Sequence, residues 1–335
     1  MWSLNNRTAY AAERNWIRDE RGVHLWLVAV RATFAIGPRG RLQLADEQIP
    51  PTLVPEHVGA PGASSLVWDS DLLGRKPTTD VLVVGSAYAP GGRATASVPV
   101  ALRVEAIEKQ LVVHGERVYR DGRAGTTNKP TPFVVRPVGY EQAFGGSACS
   151  DSDPSRHRID ERNPIGRGFD RSGGRLVGTL AHAIEYPTGD PARRGPAGFG
   201  PVDAAWLPRR KLAGTYDGRW AKTKRPLLPD DYDPMFSLSA PLDQKPTRPL
   251  RGGERISLLN LSPRGTLIFD LPRIELSMAS WFGSYKTSHE RPVLATVLVE
   301  PDASRVSLVW QSALRVASSE GDFLDVTDIY ERRHA

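Results

Sequence analysis

The sequence holds a single cysteine, Cys149, and no apolar run of the roughly 18–20 residues that a membrane helix needs. One cysteine excludes an intramolecular disulfide framework and fits a reducing compartment. After Met1, the run Trp-Ser-Leu-Asn-Asn-Arg has no basic segment leading into an apolar one, so no secretory signal is expected. A soluble, cytoplasmic chain without membrane insertion is the expectation. Metal-ligand spacing is missing too. The histidines at 24, 57, 114, 157, 182, 289 and 334 form no His-x-His, His-Glu-x-x-His or Cys/His pair at ligand distance, and no metal site is expected.

Catalytic grammar is equally sparse. Cys149 lies in the polar loop Ser147–Asp153 with no local base or oxyanion donor, so a catalytic thiol is not expected. Gly145-Gly146 and Gly166-Arg-Gly168 lack the contexts of a Walker or Rossmann loop and read as turn residues. Asp230, Asp231 and Asp233 lack the central glycine and terminal glutamate of a calcium loop, and read as a turn capping a short helix. Asp69, Asp71 and Asp80, with Lys76 among them, resemble the paired carboxylates of a glycosidase, but read as a solvated turn with an Asp–Lys pair. His24 and His114, within or beside strands, read as core or edge residues. No catalytic residue and no cofactor is expected. A dense Lys/Arg helix, zinc-finger spacing and an aromatic RNP-type strand are all lacking, which argues against nucleic acid as partner.

What the chain does have is turns and strands. Its 335 residues include 31 glycines and 28 prolines, enough to punctuate many short elements. Over 1–146, His24–Ile36 is a long β-branched and aromatic run, and Gly37-Pro-Arg-Gly40 turns it back into Arg41–Leu44. Asp80–Tyr88 is a second apolar run. Ser97–Ala106 alternates Val98, Val100, Leu102, Val104 and Ala106 with Arg103 and Glu105, the pattern of a half-buried strand. Strands return over 251–335, where Arg255–Leu261 and Thr266–Leu271 predict one hairpin, and Val293–Val299 and Arg305–Trp310 another. The reading is a mainly β chain, with an antiparallel sandwich or barrel-like core shared by the two ends. Two separate sandwiches are the alternative.

Residues 147–250 differ in kind. They hold 13 of the prolines, show no sustained periodicity, and predict only short helices at Val202–Leu212 and Asp231–Leu238. Aromatics from Phe144 to Phe236 distinguish this long irregular segment from a disordered linker. The net charge of +6 concentrates here, with 15 Lys/Arg against 9 Asp/Glu between Ser147 and Pro229, while the remainder is balanced. Such a basic middle can steer an acidic partner. Within it, Trp206-Leu-Pro-Arg-Arg-Lys-Leu-Ala-Gly-Thr-Tyr-Asp-Gly-Arg-Trp220 brackets a basic triplet with two tryptophans. Arginine and aromatics together suit a recognition surface. Equally, both tryptophans could be buried anchors of a segment with few other apolar residues.

Several strings, taken in order, carry a resemblance. They are Ala32-Thr-Phe34, Trp68-Asp-Ser-Asp71, Lys76-Pro-Thr-Thr-Asp80, Gly85-Ser-Ala-Tyr-Ala-Pro90, Tyr140-Glu-Gln-Ala-Phe-Gly-Gly146 and Asn163-Pro-Ile-Gly-Arg-Gly-Phe169. They continue with Trp206-Leu-Pro-Arg209, Ala213-Gly-Thr-Tyr-Asp217, Leu228-Pro-Asp-Asp-Tyr-Asp233, Ala240-Pro-Leu-Asp-Gln244 and Leu250-Arg-Gly-Gly-Glu254. From about residue 5 to 315 the chain resembles the bacterial family called domain of unknown function 2169. The one departure noted is Tyr119 in Gly115-Glu-Arg-Val-Tyr119, where tryptophan is expected. The resemblance implies a single family domain over 1–335. It further implies a non-enzymatic adaptor or chaperone of type VI secretion, binding a toxic effector with a PAAR-like domain and loading it onto a VgrG-type spike. It assigns no residue a role. The residues expected to bind the partner are Arg209, Arg210, Tyr216 and Trp220, with Asp71 and Lys76 as a second cluster. The alternatives are a hydrolase of carbohydrate or cell wall, and a structural or immunity-like component of the secretion cluster.

Overall fold

The computed structural model describes residues 1–120, 126–149, 153–170 and 176–332. Part of the loop around Cys149, and His334, lie outside them. The chain is predominantly β and sandwich-like, built on three larger sheets, with four two-stranded pairs beside them among the described residues. In the first, strands run in the order Ala11–Arg18, His24–Ile36, Arg305–Val316, Val293–Glu300 and Asp80–Val83, with Leu42–Leu44 joined to His24–Ile36. In the second, Ile184–Glu185, Ile107–His114, Ser97–Val104, Arg255–Leu259 and Thr266–Asp270 lie side by side. Ser3–Asn6, Leu324–Glu331, Leu276–Phe282 and Tyr285–Ser288 make the third. Strands from both ends of the sequence share each of the first two sheets, to which the middle segment adds only Ile184–Glu185.

The expected antiparallel pairing needs one correction, because the sheets are mixed. Ser3–Asn6 runs parallel to Leu324–Glu331, and Asp80–Val83 runs parallel to Val293–Glu300. Both predicted C-terminal hairpins form, as does the return of His24–Ile36 into Leu42–Leu44. The Asp80–Tyr88 run is two strands: it breaks at Val84-Gly85, and Ser86–Tyr88 leaves to pair with Val135–Pro137. Neither expected helix of the middle segment is a full α-helix. Arg209–Ala213 and Pro234–Ser237 are single 3-10 turns, and the α-helical turns fall at Pro191–Arg194 and Gly218–Thr223. No helix among the described residues is long and apolar enough to cross a membrane.

Two cores explain why some strands alternate and others do not. Val98, Val100, Leu102 and Val104 face the main core while Pro99 and Arg103 face solvent, which gives period two. His24–Ile36 is buried on both sides. Trp26, Val28, Val30, Ala32 and Phe34 enter the main core, and Leu27 and Ala29 enter a smaller one with Trp68, Leu72, Leu82, Leu298 and Val309. A strand covered on both faces reads as a continuous apolar run. Each large aliphatic side chain so buried contributes about 1.5–3 kcal/mol. The cover over this second face is the loop from Thr52 to Pro77 and the middle segment. That cover forms the site.

Candidate functional site

The covering loop is fixed from below by charged groups with no access to water. Asp71 is fully buried and accepts from the Thr52 amide at 2.8 Å and the Trp68 indole at 2.9 Å. Burial pushes its carboxyl above the usual carboxylate range, against the opposing pull of Lys76 and these hydrogen bonds. The Arg31 guanidinium lies 3.6 Å from the centre of the Trp68 ring. Lys76 Nζ reaches Asp80 Oδ2 at 2.8 Å and Thr296 Oγ1 at 2.7 Å, and both members of the pair are buried. Asp80 also accepts from the amides of Ser239 at 2.9 Å and Ala240 at 2.8 Å. Burial alone would raise the Asp80 carboxyl; Lys76 and the amides outweigh it and hold it below the ordinary value. Gln311 closes the network, donating to the carbonyls of Asp71 and Gly74 and accepting from the Lys76 amide.

These contacts correct two readings of the sequence. Asp69, Asp71 and Asp80 are no solvated turn, and Asp71 and Lys76 offer no surface to a partner. They are an internal brace joining loop, sheet and middle segment. Arg209 needs the same correction. Its guanidinium is buried, pairs with Asp69 at 2.5 Å, and donates to the carbonyls of Val202 at 2.7 Å and Phe236 at 2.9 Å. Its five donors suit a site where several acceptors of irregular backbone converge.

The other expected residues remain outside. Arg210 is half exposed and pairs with Glu161 at 2.8 Å. Asp217 caps the Gly218–Thr223 helix through the Trp220 amide, and the Trp220 indole donates to the Leu227 carbonyl at 2.8 Å. Tyr216 is 53% exposed and packs edge-on against Trp220, with 4.7 Å between ring centres. Trp206 is buried edge-on against Tyr140, so for this tryptophan the anchoring reading holds. Asp233 caps Pro234–Ser237 through the Met235 amide, as the acidic turn predicted.

Between loop and middle segment runs a cleft of about 720 Å³. Tyr216, Tyr232, Phe236 and Leu227 line one wall, and Leu73, itself 64% exposed, lines the other. Its rim carries ion pairs, Arg75–Glu290 at 2.7 Å and Arg315–Asp19 at 3.6 Å. No histidine or cysteine is among the lining residues. An aromatic and aliphatic interior with a rim of both charges is suited to gripping a chain. Sequence reasoning found Tyr216 through its Arg- and Trp-rich setting, but missed Leu73 and Arg75, which no pattern distinguishes.

One further constellation escaped the sequence because it arises across a hairpin. Ser97 and His114 are register partners, and Ser97 Oγ lies 2.8 Å from His114 Nδ1. His114 Nε2 lies 3.6 Å from Glu185 Oε1, an oxygen also bonded by Arg117 and 3.4 Å from His182 Nε2. Burial pushes His114 down to about 4, helped by Arg117, so near neutral pH it is an uncharged, weak base. No group of three or more His, Cys, Asp or Glu among the described residues is placed to hold a metal.

The glycines read as turn residues divide: the Gly166 amide closes a turn on the Asn163 carbonyl at 3.2 Å, while Gly145 and Gly168 lie in strands. Phe144–Gly145 and Arg167–Gly168 form a short parallel bridge, and a Cβ on Gly166 would sit 2.3 Å from Asn163 Nδ2. A family model described as "Uncharacterized protein conserved in bacteria (DUF2169)" matches residues 21–311. No curated protein and no solved structure matches the chain.

Proposed function

The chain belongs to the uncharacterized bacterial family DUF2169, and we propose that it is a cytoplasmic, non-enzymatic adaptor of type VI secretion. In this reading it holds a toxic effector with a PAAR-like domain and delivers it to a VgrG-type spike. The observation that carries the proposal is the cleft between the Thr52–Pro77 loop and the middle segment. Exposed Tyr216 and Leu73 stand at its edges, over walls fixed by the Lys76–Asp80 and Arg209–Asp69 pairs. Aromatic anchors on a preorganised frame give affinity at low ordering cost, and rim charges add selectivity and association rate.

The test is recovery of partners with the tagged protein from its native cytoplasm, comparing wild type with a Leu73→Asp, Tyr216→Ala double variant. An effector, with or without a spike protein, is expected with wild type and depleted at least tenfold with the variant. Recovery of the protein alone under gentle conditions overturns the reading. A hydrolase acting on cell wall or carbohydrate is the second reading, favoured by Ser97 against His114. Its test is labelling with a fluorophosphonate, which that reading requires to modify Ser97 and abolish a measurable hydrolysis.

A further inference from the structure

Away from the cleft, the main core opens at one end of the sandwich. The turns ahead of Leu276–Phe282 and Val293–Glu300 and the stretch Arg248–Arg251 surround a hollow of about 300 Å³. Its floor is core: Leu250, Ile274, Leu276, Leu294 and Trp310 all line it and all belong to the main cluster. Pro249 and Pro292 hold the flanking backbone without amides to donate into the gap. A second hollow of about 210 Å³ adjoins it, sharing Glu275, Leu276, Arg291 and Pro292 and adding Arg332.

Two features set this place apart from a packing defect. The first is charge. Arg248, Arg251, Arg291 and Arg332 are all exposed around the two hollows, against the single acid Glu275, which pairs with Arg291 at 2.5 Å. Among the described residues, the guanidinium groups of Arg248, Arg251 and Arg332 make no ion pair within 4.0 Å, although the Arg251 amide donates to the Glu254 carboxylate at 2.7 Å. The second is Trp310. It is only 4% exposed, yet no described residue accepts from its indole N–H. The indoles of Trp26, Trp68 and Trp281 each donate to a protein oxygen at 2.9 Å. The Trp310 N–H is not a buried orphan: it keeps access to solvent, and so to an arriving acceptor.

We propose that these hollows bind a partner protein through a short acidic segment, one apolar side chain entering the floor and its flanking carboxylates meeting the arginines. The floor is mainly aliphatic with one donor, so a nucleobase would bury its polar edge without partners. An aliphatic or aromatic side chain fits it, with backbone or carboxylate oxygen at the Trp310 N–H. Carboxylates then find guanidinium groups able to make paired, charge-assisted hydrogen bonds. The smaller hollow shares no lining residue with the Tyr216 cleft and the larger shares only Val293, so each can fail without the other.

The experiment uses the full-length protein and fluorescein-labelled hexapeptides, read by anisotropy at low and physiological salt. The acid-flanked probe is Asp-Glu-Phe-Leu-Asp-Glu; controls replace its flanks with lysine or its centre with Ala-Ala. Saturable binding of the acid-flanked probe is expected, weakened at least tenfold in an Arg248→Glu, Arg251→Glu variant and partly kept in Arg248→Lys. Tyr216→Ala should leave it unchanged. Thermal melts establish that the exposed arginine variants fold. Equal binding of the lysine-flanked or alanine-centred peptide overturns the proposal, as does no binding of the acid-flanked probe to folded wild-type protein. A free aryl carboxylate such as phenylacetate competing as well as the peptide overturns the protein partner in favour of a small-molecule site.

Discussion

Replacing Lys76 by methionine is the sharpest test of the brace beneath the cleft. The substitution keeps an unbranched stem of the same length and removes the ammonium with its charge and donors, so apolar packing changes little. Asp80 retains the amides of Ser239 and Ala240 and the Ser239 hydroxyl, but loses the one cation touching it, in a place without water. Thr296 Oγ1 loses its donor as well. Removing one member of a buried pair costs about 3–5 kcal/mol, because the remaining charge is left uncompensated. A chain of this size loses a few degrees of Tm per kcal/mol, so a fall of about 5–15 °C is expected. A Lys76→Met, Asp80→Asn double variant should be less destabilised than the two singles summed, with coupling above about 1 kcal/mol. The pH dependence follows from the lowered Asp80 carboxyl: its contribution is present above the unfolded-state value near 4 and is lost as pH falls through the folded value. Chemical denaturation of the three variants and wild type at pH 7 and at pH 4 measures all of this. A Lys76→Met loss below about 1 kcal/mol, or strict additivity, would refute a dry, load-sharing pair.

Asp71, raised rather than lowered, should respond in the opposite sense: Asp71→Asn relieves the cost of a buried charge as pH rises above about 4. Denaturation should therefore show a smaller loss for it at pH 7 than for Lys76→Met. Arg209→Glu should lower stability by about 3–5 kcal/mol by setting two carboxylates face to face, whereas Tyr216→Ala should shift Tm by less than about 2 °C while depleting the partner; partner recovery beside thermal melts separates them. Lys109, buried beside Asp243, is pushed down to about 8 by burial. Between about pH 8 and 10 the folded protein then binds fewer protons than the unfolded chain, so wild type should gain stability over Lys109→Met as pH rises through that window. Titration by NMR should find His114 uncharged until well below pH 5, and a midpoint above 6 would refute its burial.

Which parts of this molecule were legible in the sequence follows from where its polar groups are satisfied. In Ser97–Val104 and in the C-terminal hairpins the backbone pairs with neighbouring strands, so side chains need only sort by face, and that sorting is visible as alternation. The middle segment has almost no ladder to pair with, yet stretches such as Ala181–Ile184, Ala197–Phe199 and Leu238–Ala240 are buried. Carbonyls in it and in the segments it packs against are therefore met by side chains. Asn163 Nδ2 donates to the carbonyls of Tyr140 and Phe144, Gln244 Nε2 to those of Val81 and Phe199, and Arg209 to those of Val202 and Phe236. Such residues are polar, and by composition they read as surface. Their partners are remote, Arg209 and Asp69 being 140 positions apart, so no local window reveals them. Asp71, Lys76, Asp80, Tyr140, Asn163, Arg209 and Gln244 all fall inside the strings that carry the family resemblance, and all serve this frame. The strings therefore carry the brace beneath the cleft. The cleft lining itself draws on both kinds of residue, since Tyr216 and Tyr232 fall inside strings while Leu73 and Arg75 fall between them.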